Sequence, residues 1–375
     1  MKVSVIVPIY FGKKYLNSLV ENLSEVAEKT YKEYACKMEI IFVNDSPEEK
    51  ITHASTKVDY IILNNDRNRG IHYSRVRGLA QAQGDYVVFL DQDDKLAPSY
   101  LISQLKCIGD YDVVICNGIF RNDRAIMQDD DAYRKVEDKI YYIEHLESIA
   151  SPGQALIKRT TIPVAWTQYI MKNNYCDDAL LWVLMKNDNK KFKVNKEILY
   201  YHCETDSNTS FNWGNNAKAL REMKNIILEN NLLTKDNVAY FIRGADNKIK
   251  KQKEYRALED DMKIIEQNNT ILKNYFKKEK VEYVDLYGYG VFGKRLEKVL
   301  DKIGISVCNI IDQNVVLNSK RTIMKRETYK EHAQMNFLII TPIMSVDEIM
   351  NNLSGFNNYK ISLKELLNLA IREGN

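Results

Sequence analysis

A chain of 375 residues is long enough for two or three domains, and an apolar fraction of 45% can fill their cores. A net charge of +3 is too small to point to a nucleic-acid partner, and no apolar run approaches the ~18 residues of a membrane span, so a soluble protein is expected. Six scattered cysteines with no Cys-x-x-Cys pair argue against a zinc site or a disulfide framework and fit reduced thiols in a cytoplasm.

The first residues, 1–8, hold an apolar run too short for a secretory signal and broken by Pro8. Residues 3–9 predict a buried strand that closes at Pro8, which has no N–H for a ladder. Helical spacing follows at Leu16, Leu19, Val20, Leu23, Val26 and Ala27. Residues 39–46 predict a second buried strand ending in Asp45, and 60–63 a third. A helix is expected over about 71–83. Residues 84–94 then form the central feature: an apolar run, Val88-Phe89-Leu90, ends in Asp91-Gln92-Asp93-Asp94. A run without alternation is a strand buried on both faces. Strands alternating with helices give an α/β fold with a mostly parallel sheet, which brings Asp45 and Asp91 to one edge. Clustered carboxylates repel unless a cation shares them. Carboxylate-only ligation suits Mg²⁺ or Mn²⁺.

Several of these stretches stand in order: Val5-Ile6-Val7-Pro8-Ile9-Tyr10, Val43-Asn44-Asp45-Ser46, Asn68-Arg69-Gly70, Arg75 with Gly78-Leu79, and Gly84-Asp85-Tyr86 running on to Asp91-Gln92-Asp93-Asp94. Together they resemble glycosyltransferase family 2 over about the first hundred residues. Asn44 stands where that family frequently has an acidic residue, and Val76 where Asn usually follows the arginine. The resemblance implies a GT-A type domain, a nucleotide-sugar donor (commonly a UDP-sugar), a divalent metal and inversion at the anomeric carbon. It implies donor-binding roles for Pro8, Tyr10, Asp45, Gly70, Arg75, Asp91 and Gln92. Tyr10 and Asp45 would face the base, Arg75 would hold the nucleotide, Asp91 would lie near the ribose and Asp93 would bind the metal. Asp94 is left without a role.

Further along, a helix is expected over residues 100–108 and a strand over 111–116. Asp129-Asp130-Asp131 reads as a solvated loop rather than a second metal site. Residues 151–159 resemble the family's sugar and acceptor segment. Asp177-Asp178 opens an amphipathic helix: Asp177 reads as its cap, and Asp178 as the general base that takes a proton from the acceptor hydroxyl. His202 is a candidate metal ligand or diphosphate contact. Residues 204–216, rich in Ser, Asn and Thr, read as a lid.

Residues 217–280 read as a helical connector between a catalytic domain (1–216) and a small C-terminal domain (281–375). Leu258, Met262, Ile265, Asn269, Leu272 and Phe276 form a short heptad-like seam. It serves either a helix lying on its own domain or a homodimer through 255–276. The lysines of this stretch form a solvated face, or a contact with an anionic inner leaflet. Gly288-Tyr289-Gly290-Val291-Phe292-Gly293 follows a strand, opens a helix and precedes Asp312 at a second strand end. This pattern resembles the small Rossmann-like modules of bacterial polysaccharide-synthesis proteins. Gly288, Gly290, Gly293 and Asp312 are a candidate second nucleotide site. The segment amounts to about half a dinucleotide domain and lacks a well-placed Tyr-x-x-x-Lys, so a structural or regulatory module is preferred.

The expectation is an inverting, metal-dependent glycosyltransferase that works with a UDP-sugar. Its acceptor is a glycan or lipid-linked oligosaccharide of a bacterial surface polymer, and its place is the cytoplasm or the inner face of the membrane. The rivals are an NAD-dependent oxidoreductase or epimerase and a non-catalytic nucleotide-sugar-binding scaffold.

Overall fold

Apolar runs that do not alternate become strands covered on both faces, and this decides the architecture. The structure, a computed structural model, describes residues 1–51, 58–120, 124–146, 149–203, 213–312, 323–329, 337–343, 346–356 and 358–374. They divide into two units, Met1–Gln252 and Lys253–Asn375.

In the first unit, β1 (Lys2–Ile9), α1 (Lys13–Tyr34), β2 (Lys37–Asn44), β3 (Asp59–Asn64), α2 (Ile71–Gln81) and β4 (Tyr86–Phe89) lead to the acidic turn. Beyond it come β5 (Lys95–Leu96), α3 (Tyr100–Ile108), β6 (Val113–Phe120), α4 (Asp130–Glu137) and α5 (Lys139–His145). Then follow β7 (Ala155–Lys158), α6 (Val164–Gln168), α7 (Asp177–Asn187), β8 (Phe192–His202) and α8 (Trp213–Glu229). α9 (Lys235–Gln267) belongs to this unit as far as Gln252.

The described strands form one sheet in the order β3-β2-β1-β4-β7-β6-β8-β5. β3, β2, β1 and β4 are parallel, with Val5 level with both Ile40 and Val88. β7 runs antiparallel to β4 and β6. Successive side chains leave a strand on opposite faces. Val3, Val5, Val7 and Val88 therefore meet the buried Leu16, Leu19, Leu23 and Leu101 of α1 and α3. Ile6, Val87 and Phe89 meet Leu180, Leu184 and Trp166 on the other face. Each such buried side chain contributes ~1.5–3 kcal/mol of transfer free energy, which fixes the register that carries the site.

Three expectations meet the structure here. β1 ends at Ile9, as expected; it pairs with β2 along its whole length, but with β4 only as far as Ile6. Asp129 is not in a solvated loop; its carboxylate accepts the Ala132 N–H at 2.8 Å and caps α4. The lid expected over 204–216 lies outside the described residues as far as 212, and α8 begins at Trp213.

The connector expected over 217–280 is helical but is not a separate body. Ala219, Leu220, Met223, Phe241 and Ile249 join the core of the first unit. Leu258, Met262, Ile265, Leu272 and Phe276 join that of the second, all 2% exposed or less. The proposed homodimer seam is thereby used up within one chain. It is also interrupted at Asn268, which leaves the helical region before α10 (Asn269–Lys278) begins.

The second unit adds β9 (Tyr283–Tyr287), α11 (Val291–Ile303), β10 (Ser306–Ile311), β11 (Ile323–Met324), β12 (Phe337–Ile340), α12 (Val346–Asn352), β13 (Tyr359–Ser362) and α13 (Leu363–Gly374). Its sheet is parallel throughout, in the order β11-β10-β9-β12-β13. β9 is the middle strand, and the glycine-rich turn follows it. Among the described residues no helix is long and apolar enough to cross a membrane. All six cysteines are free.

Candidate active site

The parallel register sets the carboxyl ends of β1, β2 and β4 side by side. Asp45, just beyond β2, is 3% exposed. Its Oδ1 accepts from Asn65 Nδ2 at 2.6 Å and Arg69 N at 2.7 Å, and its Oδ2 from Gly70 N at 2.8 Å. Asp45 thus shapes the 65–70 loop directly. Gly70 sits there at φ +88°, a conformation that side-chain-bearing residues rarely adopt. It delivers the chain into α2.

Tyr10 and Phe11 close β1 with exposed rings whose centroids lie 4.8 Å apart. Pro8 is buried in the strand behind them. The Gln92 side-chain amide reaches across: Oε1 accepts the Tyr10 N–H at 2.9 Å, and Nε2 donates to the Tyr10 carbonyl at 3.1 Å. Gln92 therefore joins the end of β1 to the acidic turn.

α2 turns a polar face inward, with His72, Ser74 and Arg75 all buried. Arg75 donates from Nη1 to Asp177 Oδ2 and from Nη2 to Asp91 Oδ1, both at 2.6 Å. Asp91 Oδ2 also accepts from Ser151 Oγ at 3.2 Å. His72 accepts the Met171 N–H on Nδ1 at 3.0 Å and so carries its proton on Nε2, 3.0 Å from the Trp166 carbonyl. Burial lowers its pKa, in keeping with a neutral ring. Trp166 Nε1 donates to the Asp177 carbonyl at 2.7 Å, so α6 supports the start of α7.

Asp177 is not the cap of α7. It is the first helical residue, follows Cys176 and is 2% exposed against Arg75. Asp178 beside it is half-buried and accepts the Ala179 N–H at 2.8 Å. Burial and the neighbouring Asp177 push the Asp178 carboxyl up to about 6, while Arg75 pulls the other way. Burial, with Asp94 and Asp177, likewise raises the Asp91 carboxyl against the pull of Arg75.

The last carboxylate of the turn has a definite place. Asp94 is 2% exposed and accepts the Tyr200 hydroxyl and, at 2.9 Å, the Cys203 N–H. His202 Nδ1 lies 3.4 Å from Asp94 Oδ1 and 3.1 Å from the Tyr200 hydroxyl. Burial works against a charged His202, but Asp94, with Asp91 and Asp93, outweighs it and raises the pKa. Asp94 thus ties the acidic turn to the end of β8. Asp93 is half-buried on that turn. No group of three or more His, Cys, Asp or Glu among the described residues forms a ready metal cage. Mg²⁺ is usually held by one or two carboxylates together with substrate phosphates, so a partly exposed Asp93 beside His202 fits such an ion without a full cage.

In the second unit Gly288 has φ +93°, and a Cβ on Gly293 would lie 2.3 Å from the Gly288 carbonyl, so the turn packs backbone on backbone. Nothing within 4 Å would meet a Cβ on Gly290. Asp312 stands at the end of β10 as expected, but its Oδ2 accepts the Tyr289 N–H at 2.6 Å and holds the glycine turn itself.

Sequence reasoning placed Asp45 and Asp91, with Asp93 just after, at one sheet edge and Asp178 in the opening turn of a helix. It named Ser151 only within the 151–159 segment and missed Tyr200, His72 and Trp166. Ser151 meets Asp91 across 60 positions, Tyr200 meets Asp94 across 106 and His72 meets Trp166 across 94, while Trp166 reaches Asp177 across 11. Only Trp166 is covered by a usable signal: a tryptophan before the acidic pair invites a search for its N–H acceptor.

Residues 4–164 match the family model described as glycosyl transferase family 2. A glycosyltransferase from Streptococcus pneumoniae is 30% identical over 156 residues, 39% of this chain and 21% of that protein. The glucosyl-dolichyl phosphate glucuronosyltransferase of Haloferax volcanii is 34% identical over 105 residues, 27% of this chain and 32% of its own length. The chain therefore spans a minor part of either relative. Among solved structures, S. aureus TarS 1–349 in complex with UDP-GlcNAc aligns with 64% of this chain and 72% of its own at 19% identity, with a TM-score of 0.46.

Proposed function

Residues 4–164 belong to glycosyl transferase family 2, and on that footing we propose that the chain is an inverting transferase working on a nucleotide-sugar, a UDP-sugar in particular. The acceptor is a hydroxyl of a glycan or lipid-linked oligosaccharide in a bacterial surface polymer. The name of the Haloferax relative, with its dolichyl phosphate, supports the lipid-linked choice. The observation that carries the reading is Asp178: a half-buried carboxylate in the first turn of α7, raised to about 6 and so poised near neutrality.

Asp178 takes the proton of the acceptor hydroxyl as that oxygen attacks the anomeric carbon from the face opposite the nucleotide. The exposed Tyr10 ring offers a flat surface to the base. Asp45 holds the 65–70 loop beside it. Asp93 and His202 would hold Mg²⁺ or Mn²⁺, which when bound supplies charge stabilisation to the departing diphosphate. Asp94 and Tyr200 orient His202 for that task.

The Asp178→Asn variant should lose about 10²–10⁴-fold in transfer and still bind UDP in calorimetry; near-parental turnover would sink the base assignment. Asp93→Ala should abolish the Mn²⁺-dependent gain in UDP affinity, and an undiminished gain would remove Asp93 from the metal. UDP release across a panel of UDP-sugars identifies the donor.

A further inference from the structure

The resemblance makes Arg75 a nucleotide ligand, but its geometry points elsewhere. The side chain is 4% exposed, and both Nη atoms donate to protein carboxylates at 2.6 Å. Its Nε is buried with no acceptor among the described residues. Its two partners come from opposite halves of the site. Asp91 follows β4 and leads into Asp93. Asp177 opens α7 and precedes Asp178. A planar guanidinium can span two carboxylates; an ammonium cannot do so with the same fixed directions.

We infer that Arg75 is a positioning residue, a strut that sets the first turn of α7, and with it Asp178, against the Asp91–Asp93 turn, rather than a contact to the nucleotide. The inference rests on the reading of Asp178 as the base. The charged groups that bear on Asp178 are Asp177 beside it, Arg75 from α2 and Asp91 from the turn. Asp94 acts on Asp91, and His72, with Glu222 behind it, on Asp177. Three carboxylates thus surround one cation. Removing the cation and removing a neighbouring anion must move Asp178 in opposite directions, which a purely structural role would not do.

The test follows Asp178 by ¹³C NMR of carboxyl-labelled aspartate in the full chain, with its signal assigned by its loss in Asp178→Asn. Arg75→Gln should raise the Asp178 midpoint by at least about one pH unit, and Asp177→Asn should lower it. Arg75→Lys keeps the charge but not the span. Its midpoint should return towards the parental value, while kcat for UDP release stays at least about tenfold down and the Kd for UDP is unchanged. If Arg75→Gln does not fold, Asp177→Asn and Arg75→Lys carry the test. Midpoints that stay put or move together overturn the inference. So does an Arg75→Lys protein that keeps its kcat but binds UDP tenfold more weakly. Parental turnover in Asp178→Asn overturns this inference and the base assignment together. An inactive Asp178→Asn with unmoved midpoints overturns this inference alone.

Discussion

Two strand ends in this chain carry motifs that look equally like ligand sites, and they are built in opposite ways. After β9 the polar groups answer one another. Asp312 takes the Tyr289 N–H, and Thr341 Oγ1 donates to the Gly288 carbonyl at 2.7 Å. The buried Asp285 takes Asn309 N and Nδ2 at 3.0 Å and the Tyr329 hydroxyl at 2.8 Å. After β4 the charges do not cancel. Asp91, Asp177 and Asp178 share Arg75, and Asp94 stands close by. A site that meets its own needs adds stability. A surplus of like charge at low exposure costs stability and shifts protons, which is where catalytic groups are found.

That contrast can be broken at three levels. The largest effect is on turnover with pH. On the proposed reading Asp178 is the base and works only when ionised, so UDP-sugar turnover should fall about tenfold per pH unit below about 6. A flat profile down to pH 4.5 would mean that no surplus charge acts there. The sign for stability is the reverse. A carboxyl whose folded pKa is raised favours the fold below its unfolded pKa and loses that contribution as pH rises through about 6. Asp178→Asn should therefore melt no lower than the parent at pH 7.

Next in size is Asp285→Ala, which takes the acceptor from the buried Tyr329 hydroxyl and from the two donors of half-buried Asn309 and should cost the second unit about 1–3 kcal/mol. The chain's three tryptophans, Trp166, Trp182 and Trp213, all lie in the first unit. Circular dichroism should show the loss, while the tryptophan fluorescence transition and UDP affinity stay unmoved. A shift in the fluorescence transition would contradict that separation. The smallest effect is Asp312→Ala, about 1 kcal/mol for one hydrogen bond to a backbone N–H, read by the same circular dichroism melt.

Much of the fold was legible because both faces of each main sheet are covered, so strands such as β1, β2 and β4 announce themselves as unbroken apolar runs. α1 was equally plain from the spacing of Leu16, Leu19 and Leu23. α4 was not: its opening Asp129-Asp130-Asp131 is both a good helix start and a good loop, and only the Ala132 N–H decides between them. The heptad-like spacing in 255–276 was real, but spacing cannot say whether a seam meets another chain or its own sheet. In the site, residue types and strand ends were readable from local pattern. Pairings were not. Arg75 finds Asp177 across 102 positions and Tyr200 finds Asp94 across 106, and no local signal encodes such a meeting. For the same reason Asp94 was given no role, and the Asp91 and Asp177 partners of Arg75 went unread.

The amide of Gln92 has a consequence of its own. By holding both the N–H and the carbonyl of Tyr10, it makes the span from the aromatic ledge to the acidic turn a fixed gauge length, set by one side-chain amide docked on main chain. An amide has a direction, and only Oε1 towards N–H with Nε2 towards carbonyl satisfies both ends. Glutamate in its place has no Nε2 donor for the Tyr10 carbonyl, so one jaw of the clamp opens. The ledge and the turn would then drift as separate parts, although neither had been touched.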